Sequence, residues 1–145
     1  MSSNVIVMVD DNSDDFFAAS RTLSRAGLAN PLVHIESGEA VIEYLRGTGA
    51  YAKDGPSRPA LVLLDINMPG MKGTEVLRIL RDDPALKNLP VIMLTSSNAD
   101  RDVLASFEGG AHSYINKPIS MSALLDSLPR IRNHKLEIRL VPAQP

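Results

Sequence analysis

The sequence predicts an α/β fold: a doubly wound, five-stranded parallel sheet with helices on both faces. Strand-like and helix-like segments alternate along the chain, which is typical of βαβ units. The run Leu61–Leu64 is continuously apolar and is bounded by turn residues. Such a run indicates a strand buried on both faces, at the centre of a parallel sheet.

The composition fits one globular domain in the cytoplasm. The chain has 145 residues, of which 44% are hydrophobic and 22% charged, and its net charge is −2. This charge gives no electrostatic reason to bind nucleic acid or an anionic membrane, and we expect neither partner. Because cysteine is absent, disulfides, thiolate catalysis and cysteine metal sites are excluded. We expect no leader peptide and no membrane span, since no run approaches about 18 apolar residues.

Five short segments predict the strands. Each is bounded by turn residues, and each is followed by a helix-like pattern or a polar segment. In chain order the predicted strands are Val5–Val9, Leu32–Glu36, Leu61–Leu64, Val91–Leu94 and His112–Asn116.

A residue suited to capping precedes each helical pattern. Short polar side chains accept hydrogen bonds from the unpaired backbone N–H groups of a first turn. Gly27 is a good helix stop, and Pro129 should kink or end the last helix because it removes a backbone donor. The expected caps are Asn12 or Ser13, Ser37, Thr74, Asn98 or Asp100 (for a helix through Phe107), and Ser120.

Two segments lie outside this regular pattern. The glycine and proline content of Thr48–Pro59 predicts a long exposed loop. Leu136–Leu140 alternates apolar and charged residues, which is a strand period, so its apolar face needs a cover. That cover is either the chain's own domain or a second copy. We divide the chain into a domain at 1–132 and a partly disordered extension at 133–145 that could contact a second copy.

Polar side chains stand at the carboxyl ends of the predicted strands. In a doubly wound sheet these points converge on one crevice, where ligands bind. They are Asp10 and Asp11 after the first strand, Asp65 after the third, Thr95 after the fourth and Lys117 after the fifth.

These residue types point to phosphoryl transfer. Three neighbouring carboxylates repel one another unless a cation is bound, and Mg²⁺ prefers such oxygen ligands. Lys117 adds a fixed positive charge and Thr95 a hydroxyl donor, which suits the oxygen atoms of a transferring phosphoryl group. Asp65, on the central strand, is then the candidate nucleophile that forms an acyl phosphate.

The sequence resembles the receiver domain of two-component response regulators, among which the chemotaxis regulators are single-domain relatives. The resemblance extends from about Asn4 to Ile131, and it implies the flavodoxin-like strand order 2-1-3-4-5. It rests on Asp10-Asp11, on Asp65 within LLDINMPGMKG, on Thr95 within VIMLTSS, and on Lys117-Pro118 within YINKP.

The resemblance implies a phosphoacceptor and a metal site. Asp65 would take a phosphoryl group from a phosphohistidine of a sensor histidine kinase. Asp11 and Asp65, with the backbone carbonyl of Asn67, would hold Mg²⁺, and Asp10 would act mainly through water.

The resemblance also implies a switch. Lys117 would pair with the phosphoryl group, and Thr95 would donate a hydrogen bond to it. The bond between Lys117 and Pro118 would be cis. Tyr114 would turn inward as Thr95 moves, although an aromatic residue on a strand is also explained by plain packing.

The loop and the tail resemble those of single-domain receivers that work with bacterial phytochromes and tend to dimerise, so a homodimer and a phytochrome partner are expected. Such a protein signals by protein contact or phosphorelay and turns over no separate substrate.

One alternative is a degenerate receiver, a phosphate-independent interaction domain. A dehalogenase-type phosphatase would need an aspartate at Asn67, and a flavodoxin-type binder would need a phosphate loop where this chain has DDNSDD.

Overall fold

The computed structural model describes residues 4–96, 108–130 and 140–141. These residues form a five-stranded, wholly parallel sheet of order β2-β1-β3-β4-β5, which confirms the predicted fold class. The observed bounds differ from the predicted ones by a residue at some strand ends. The strands are β1 (Ile6–Val9), β2 (Leu32–Ile35), β3 (Leu61–Asp65), β4 (Val91–Thr95) and β5 (Ser113–Asn116).

Helices cover both faces of the sheet. Alternate residues of a strand point to opposite faces, so Val7 and Ile6 of β1 belong to different cores. One core takes in residues of α2 and α3, and the other takes in residues of α1 and α4. The described helices are α1 (Ser13–Arg25), α2 (Gly38–Arg46), α3 (Gly73–Asp82) and α4 (Met121–Ser127), with short 3-10 turns at Gly49–Tyr51 and Leu128–Arg130.

Three of the predicted caps are in place. The Asn12 side chain accepts hydrogen bonds from the backbone of the first turn of α1, at 2.9 and 3.4 Å. Ser37 accepts from Ala40 N at 3.1 Å, and Ser120 accepts from Ala123 N at 3.1 Å. The helix predicted from Asn98 or Asp100 lies outside the described residues.

The predicted cap at Thr74 is wrong. The cap position of α3 is Lys72, whose side chain makes no capping bond, and the helix begins at Gly73. The backbone N–H of Gly73 donates to the carbonyl of Ile66 at 3.0 Å. The segment after β3 therefore satisfies the first backbone N–H of the helix.

The loop and the tail both pack on the domain where they are described. Arg58 Nη1 donates to the Leu45 carbonyl at 2.8 Å, which anchors the long loop to the end of α2. Leu140 forms an antiparallel bridge with Leu28, and Val141 N donates to the carbonyl of Gly27 at 2.7 Å. The described end of the tail thus contacts its own domain, while 131–139 and 142–145 lie outside the described residues.

Gly73 is required by the close approach of α3 to β3. A Cβ at this position would lie 2.2 Å from the Asp65 carbonyl oxygen and 2.9 Å from Ile66 Cα, both backbone atoms. Since backbone cannot move aside as a side chain can, we expect Gly73→Ala to lower the free energy of unfolding by about 3 kcal/mol. Urea denaturation followed by circular dichroism measures this change.

Gly55→Ala is the comparison variant. Gly55 has φ +71°, but a Cβ there meets nothing within 4 Å. Only the left-handed backbone penalty applies, so a smaller loss of about 1 kcal/mol is expected. Equal losses in the two variants would contradict the steric explanation for Gly73.

Candidate functional site

The sheet register brings the functional side chains together at one edge. Val9 lies opposite Leu64, so Asp10, the next residue along the chain, comes beside the end of β3, where Asp65 is the last residue. On the other side, the Lys117 backbone N–H donates to the carbonyl of Thr95 at 2.8 Å. The predicted convergence at the carboxyl ends of the strands is what the structure shows.

Three carboxylates form the acidic part of the site. Asp10, Asp11 and Asp65 each offer an oxygen atom, and these atoms all lie within 4.8 Å of one another. Asp10 and Asp65 are buried, whereas Asp11 is exposed. The site therefore consists of two buried carboxylates and a third carboxylate that lies at the protein surface.

Lys117 is the cation of the site. Its Nζ lies 2.6 Å from Asp10 Oδ2, 3.0 Å from Asp15 Oδ2 and 3.2 Å from Asp65 Oδ2. Only 13% of its side chain is exposed. One ammonium group therefore lies against three carboxylates, and it neutralises only part of their negative charge.

The pKa values of the site follow from burial and pairing. Burial raises the pKa of Asp65 above its usual value, and the charge of Asp10 adds to this, while Lys117 and the Asn67 N–H only partly offset it. For Lys117, burial acts to lower the pKa, but the hydrogen bonds to Asp10 and Asp15 and the charge of Asp65 outweigh it. The pKa of Lys117 is thus raised, and the side chain is a permanent cation.

Backbone and side-chain donors hold the two buried carboxylates in place. Asn12 N donates to Asp10 Oδ1 at 2.9 Å, and Asn67 N donates to Asp65 Oδ1 at 3.1 Å. Each carboxylate thus has one oxygen fixed by the loop that follows it and the other directed toward Lys117. This arrangement fixes the orientation of the reacting group before any partner binds.

The donor set fits a hard divalent cation. Apart from its ion pair with Lys117, the buried Oδ2 of Asp10 has no hydrogen-bond donor among the described residues. Clustered carboxylate oxygens without sulfur or imidazole ligands suit Mg²⁺ or Mn²⁺ better than Zn²⁺. Asp10, Asp11 and Asp65 are the side chains that could hold such an ion.

The remaining predicted residues surround this cluster. Thr95, the last residue of β4, is 1% exposed. The peptide bond between Lys117 and Pro118 is cis. Tyr114 lies on β5 with 38% of its surface exposed, so its ring is at the surface in this conformation.

Two contacts at the site were missed by the sequence analysis. Asp15 lies in the first turn of α1, and its carboxylate accepts a hydrogen bond from Lys117. His34 lies on the edge strand β2, where its Nε2 is 2.8 Å from the carbonyl oxygen of Asp10 and its ring stacks on Phe16. A strand period placed His34 in the sheet but gave no sign of these contacts.

The comparison with protein families agrees with this geometry. A family model described as the response regulator receiver domain matches residues 6–129. Response regulator Rcp1 of Synechocystis sp. is 32% identical over 139 residues, which cover 96% of this chain and 93% of that relative. Chemotaxis protein CheY1 of Helicobacter pylori is 29% identical over 136 residues, 93% of this chain and 95% of the relative.

Solved structures share the fold. The bacteriophytochrome response regulator AtBRR superposes with a TM-score of 0.80 at 32% identity, covering 88% of this chain and 91% of the other. The Mn(2+)-bound form of Rcp1 has a TM-score of 0.72 at 32% identity, covering 97% and 100%. Within the described ranges, no helix has the length and apolar character needed to cross a membrane.

The raised pKa of Asp65 predicts that its ionised form destabilises the metal-free protein. The cost is absent at a pH below the usual carboxyl pKa and is fully present above the raised pKa. Asp65→Asn should therefore raise the free energy of unfolding at neutral pH in the presence of EDTA. The gain should shrink as the pH is lowered toward the usual pKa, because wild-type Asp65 then becomes neutral as well.

Urea denaturation at neutral and acidic pH measures this gain. Asp54→Asn, which changes an exposed aspartate in the long loop, is the control and should leave stability unchanged at both pH values. An Asp65→Asn protein less stable than wild type at neutral pH would contradict the expected sign.

Proposed function

The chain belongs to the response regulator receiver domain family, and from this we propose that it is a single-domain response regulator phosphorylated on Asp65. The donor would be a phosphohistidine of a sensor histidine kinase. The observation that carries the proposal is the ammonium of Lys117, 3.2 Å from Asp65 Oδ2, inside a cluster of three carboxylates. A lysine placed among carboxylates can stabilise the negative charge that a phosphoryl group would bring to Asp65.

Phosphoryl transfer at this site would form one bond and break one. A carboxylate oxygen of Asp65 attacks phosphorus, the P–N bond of the phosphohistidine breaks, and its electron pair goes to the imidazole nitrogen. The product is an acyl phosphate on Asp65. Lys117 would donate to a phosphoryl oxygen, and the hydroxyl of Thr95 would donate to another, so both are assigned as catalytic residues.

Mg²⁺ is the proposed cofactor. Asp10, Asp11 and Asp65, with the backbone carbonyl of Asn67, would hold it, with Asp10 acting mainly through water. When bound, the ion supplies positive charge to the phosphoryl oxygens. The three clustered carboxylates of this chain support the assignment, as does the existence of a Mn²⁺-bound form of the similar Rcp1.

Phosphorylation would be transmitted by Thr95 and Tyr114. Thr95 would move toward the phosphoryl group, and the exposed ring of Tyr114 would turn inward to fill the space. Such a change needs two conformations within a few kcal/mol of one another, so that a local modification can reverse their populations. The cis bond at Pro118 would shape the loop that carries Lys117.

The proposed partner is a sensor histidine kinase, and a bacterial phytochrome is the favoured type. Two similar solved structures support this: AtBRR is described as a bacteriophytochrome response regulator, and RcpA as a cyanobacterial phytochrome response regulator in phosphorylated form. We also propose a cytoplasmic homodimer that signals by protein contact or phosphorelay. It would catalyse its own phosphorylation and dephosphorylation but turn over no separate substrate.

A degenerate receiver, acting only as an interaction domain, is the weaker alternative. Such a domain would lack a member of the site. Here Asp10, Asp11, Asp65, Thr95 and Lys117 are all present at the edge of the sheet.

Incubation with acetyl phosphate and Mg²⁺ tests the phosphoacceptor. We expect the intact mass of the wild-type protein to rise by one phosphoryl group. Asp65→Asn should show no gain, because an amide is not a nucleophile of this kind, and EDTA should abolish the gain in wild type. Size-exclusion chromatography of the same samples tests the dimer and its dependence on phosphorylation.

Wild-type protein that binds Mg²⁺ but gains no phosphoryl group would overturn the phosphoacceptor assignment. That result would favour the degenerate receiver.

The metal assignment makes a separate prediction. Removal of one carboxylate ligand should weaken Mg²⁺ binding by about tenfold or more, so Asp11→Asn should raise the dissociation constant by that factor. Isothermal titration calorimetry measures it. Asp54→Asn, an equal loss of charge in the long loop, should bind Mg²⁺ as wild type does. Equal weakening in both variants would show attraction by general charge rather than ligation.

A further inference from the structure

Lys117 has a third carboxylate partner that the acidic cluster does not contain. Asp15 Oδ2 accepts a hydrogen bond from Lys117 Nζ at 3.0 Å, which is shorter than the 3.2 Å between Lys117 and Asp65. The three clustered carboxylates are Asp10, Asp11 and Asp65, so Asp15 contacts the lysine from outside that cluster. The proposed function assigns it no role.

Local structure places the Asp15 carboxylate beside the lysine. Asp15 lies in the first turn of α1, and its backbone N–H donates to the capping side chain of Asn12 at 3.4 Å. Asp15 and Lys117 also line the same small cavity of about 50 Å³ between α1 and the segment that follows β5. The Asp15 side chain is 43% exposed and that of Lys117 is 13% exposed, so Asp15 is a partly solvated partner of a largely buried ammonium group.

We infer that Asp15 is a positioning residue, whose carboxylate holds the Lys117 ammonium toward α1 and competes for it with the phosphoryl group on Asp65. This inference rests on the proposed function. An ammonium group has three N–H donors, and in this structure three carboxylates surround it at 2.6 to 3.2 Å. A phosphoryl oxygen can take a donor only by sharing or displacing one of these contacts.

The contact between Asp15 and Lys117 is the one that would differ between the unphosphorylated and the phosphorylated site. Asp10 is fully buried and keeps its ion pair with Lys117, and Asp65 becomes the phosphoryl carrier itself. Asp15 remains as an unmodified anion that attracts the lysine and repels an incoming phosphate dianion. It would therefore limit how readily the site is phosphorylated and how firmly Lys117 holds the phosphoryl group afterwards.

The test is the rate of phosphorylation by acetyl phosphate with Mg²⁺, followed by intact mass. Asp15→Asn keeps the size and an acceptor oxygen but removes the charge, and we expect it to be phosphorylated about three to five times faster than wild type. The affinity for beryllofluoride, a phosphoryl mimic, should rise by a similar factor. Asp15→Glu, which keeps the charge, should stay close to wild type.

Two controls separate competition for Lys117 from other effects. Asp14→Asn removes the neighbouring exposed charge from the same turn, and Asp14 makes no ion pair with Lys117 in the described part of the chain. It should leave the rate unchanged. The Mg²⁺ dissociation constant of Asp15→Asn should stay within about twofold of wild type, because Asp15 is not one of the clustered ligands.

The inference is overturned if Asp15→Asn is phosphorylated no faster than Asp14→Asn, or more slowly than wild type, while circular dichroism shows that it is folded. It is also overturned if beryllofluoride binds equally well with and without the Asp15 charge. Failure of the wild-type protein itself to gain a phosphoryl group, with Mg²⁺ binding intact, is a different result. That outcome removes the proposed function and, with it, the basis of this inference.

Discussion

The ion pairs of Lys117 are the interaction on which the site depends. Burying a carboxylate is costly unless it is paired, and the structure buries two of them, Asp10 and Asp65, at the ends of adjacent strands. Lys117 offsets that cost from the end of β5, on the far side of β4. The compensation is incomplete, because burial still raises the pKa of Asp65. The site therefore keeps an excess of negative charge that a bound cation could neutralise.

The fold holds the carboxylates that carry this negative charge in a fixed arrangement. A parallel sheet collects the carboxyl ends of its strands at one edge, and its buried interior keeps them at fixed spacing. Backbone donors from Asn12 and Asn67 then orient the two buried carboxylates. Gly73 lets α3 start directly against the Asp65 carbonyl. The same elements that stabilise the domain therefore set the geometry of the group that reacts.

Much of the fold could be predicted because the physical signals are local. The apolar run that became β3 and the side-chain caps at Asn12, Ser37 and Ser120 need only a few neighbouring residues. The prediction of a cap at Thr74 failed because α3 begins one residue earlier, at Gly73, whose N–H donates to the Ile66 carbonyl of the preceding loop. No periodicity or capping rule contains that contact, since it depends on where α3 packs.

By itself, the sequence determined the parallel α/β fold and which polar residues would meet at the sheet edge, because strand ends follow from patterns along the chain and parallel strands place those ends at one edge. Only the tertiary structure decided the partners across the site. Asp15 reaches Lys117 across 102 positions of the sequence, and His34 reaches the Asp10 carbonyl from the edge strand. Such contacts depend on the distance and angle between packed elements, which residue spacing along the chain does not encode.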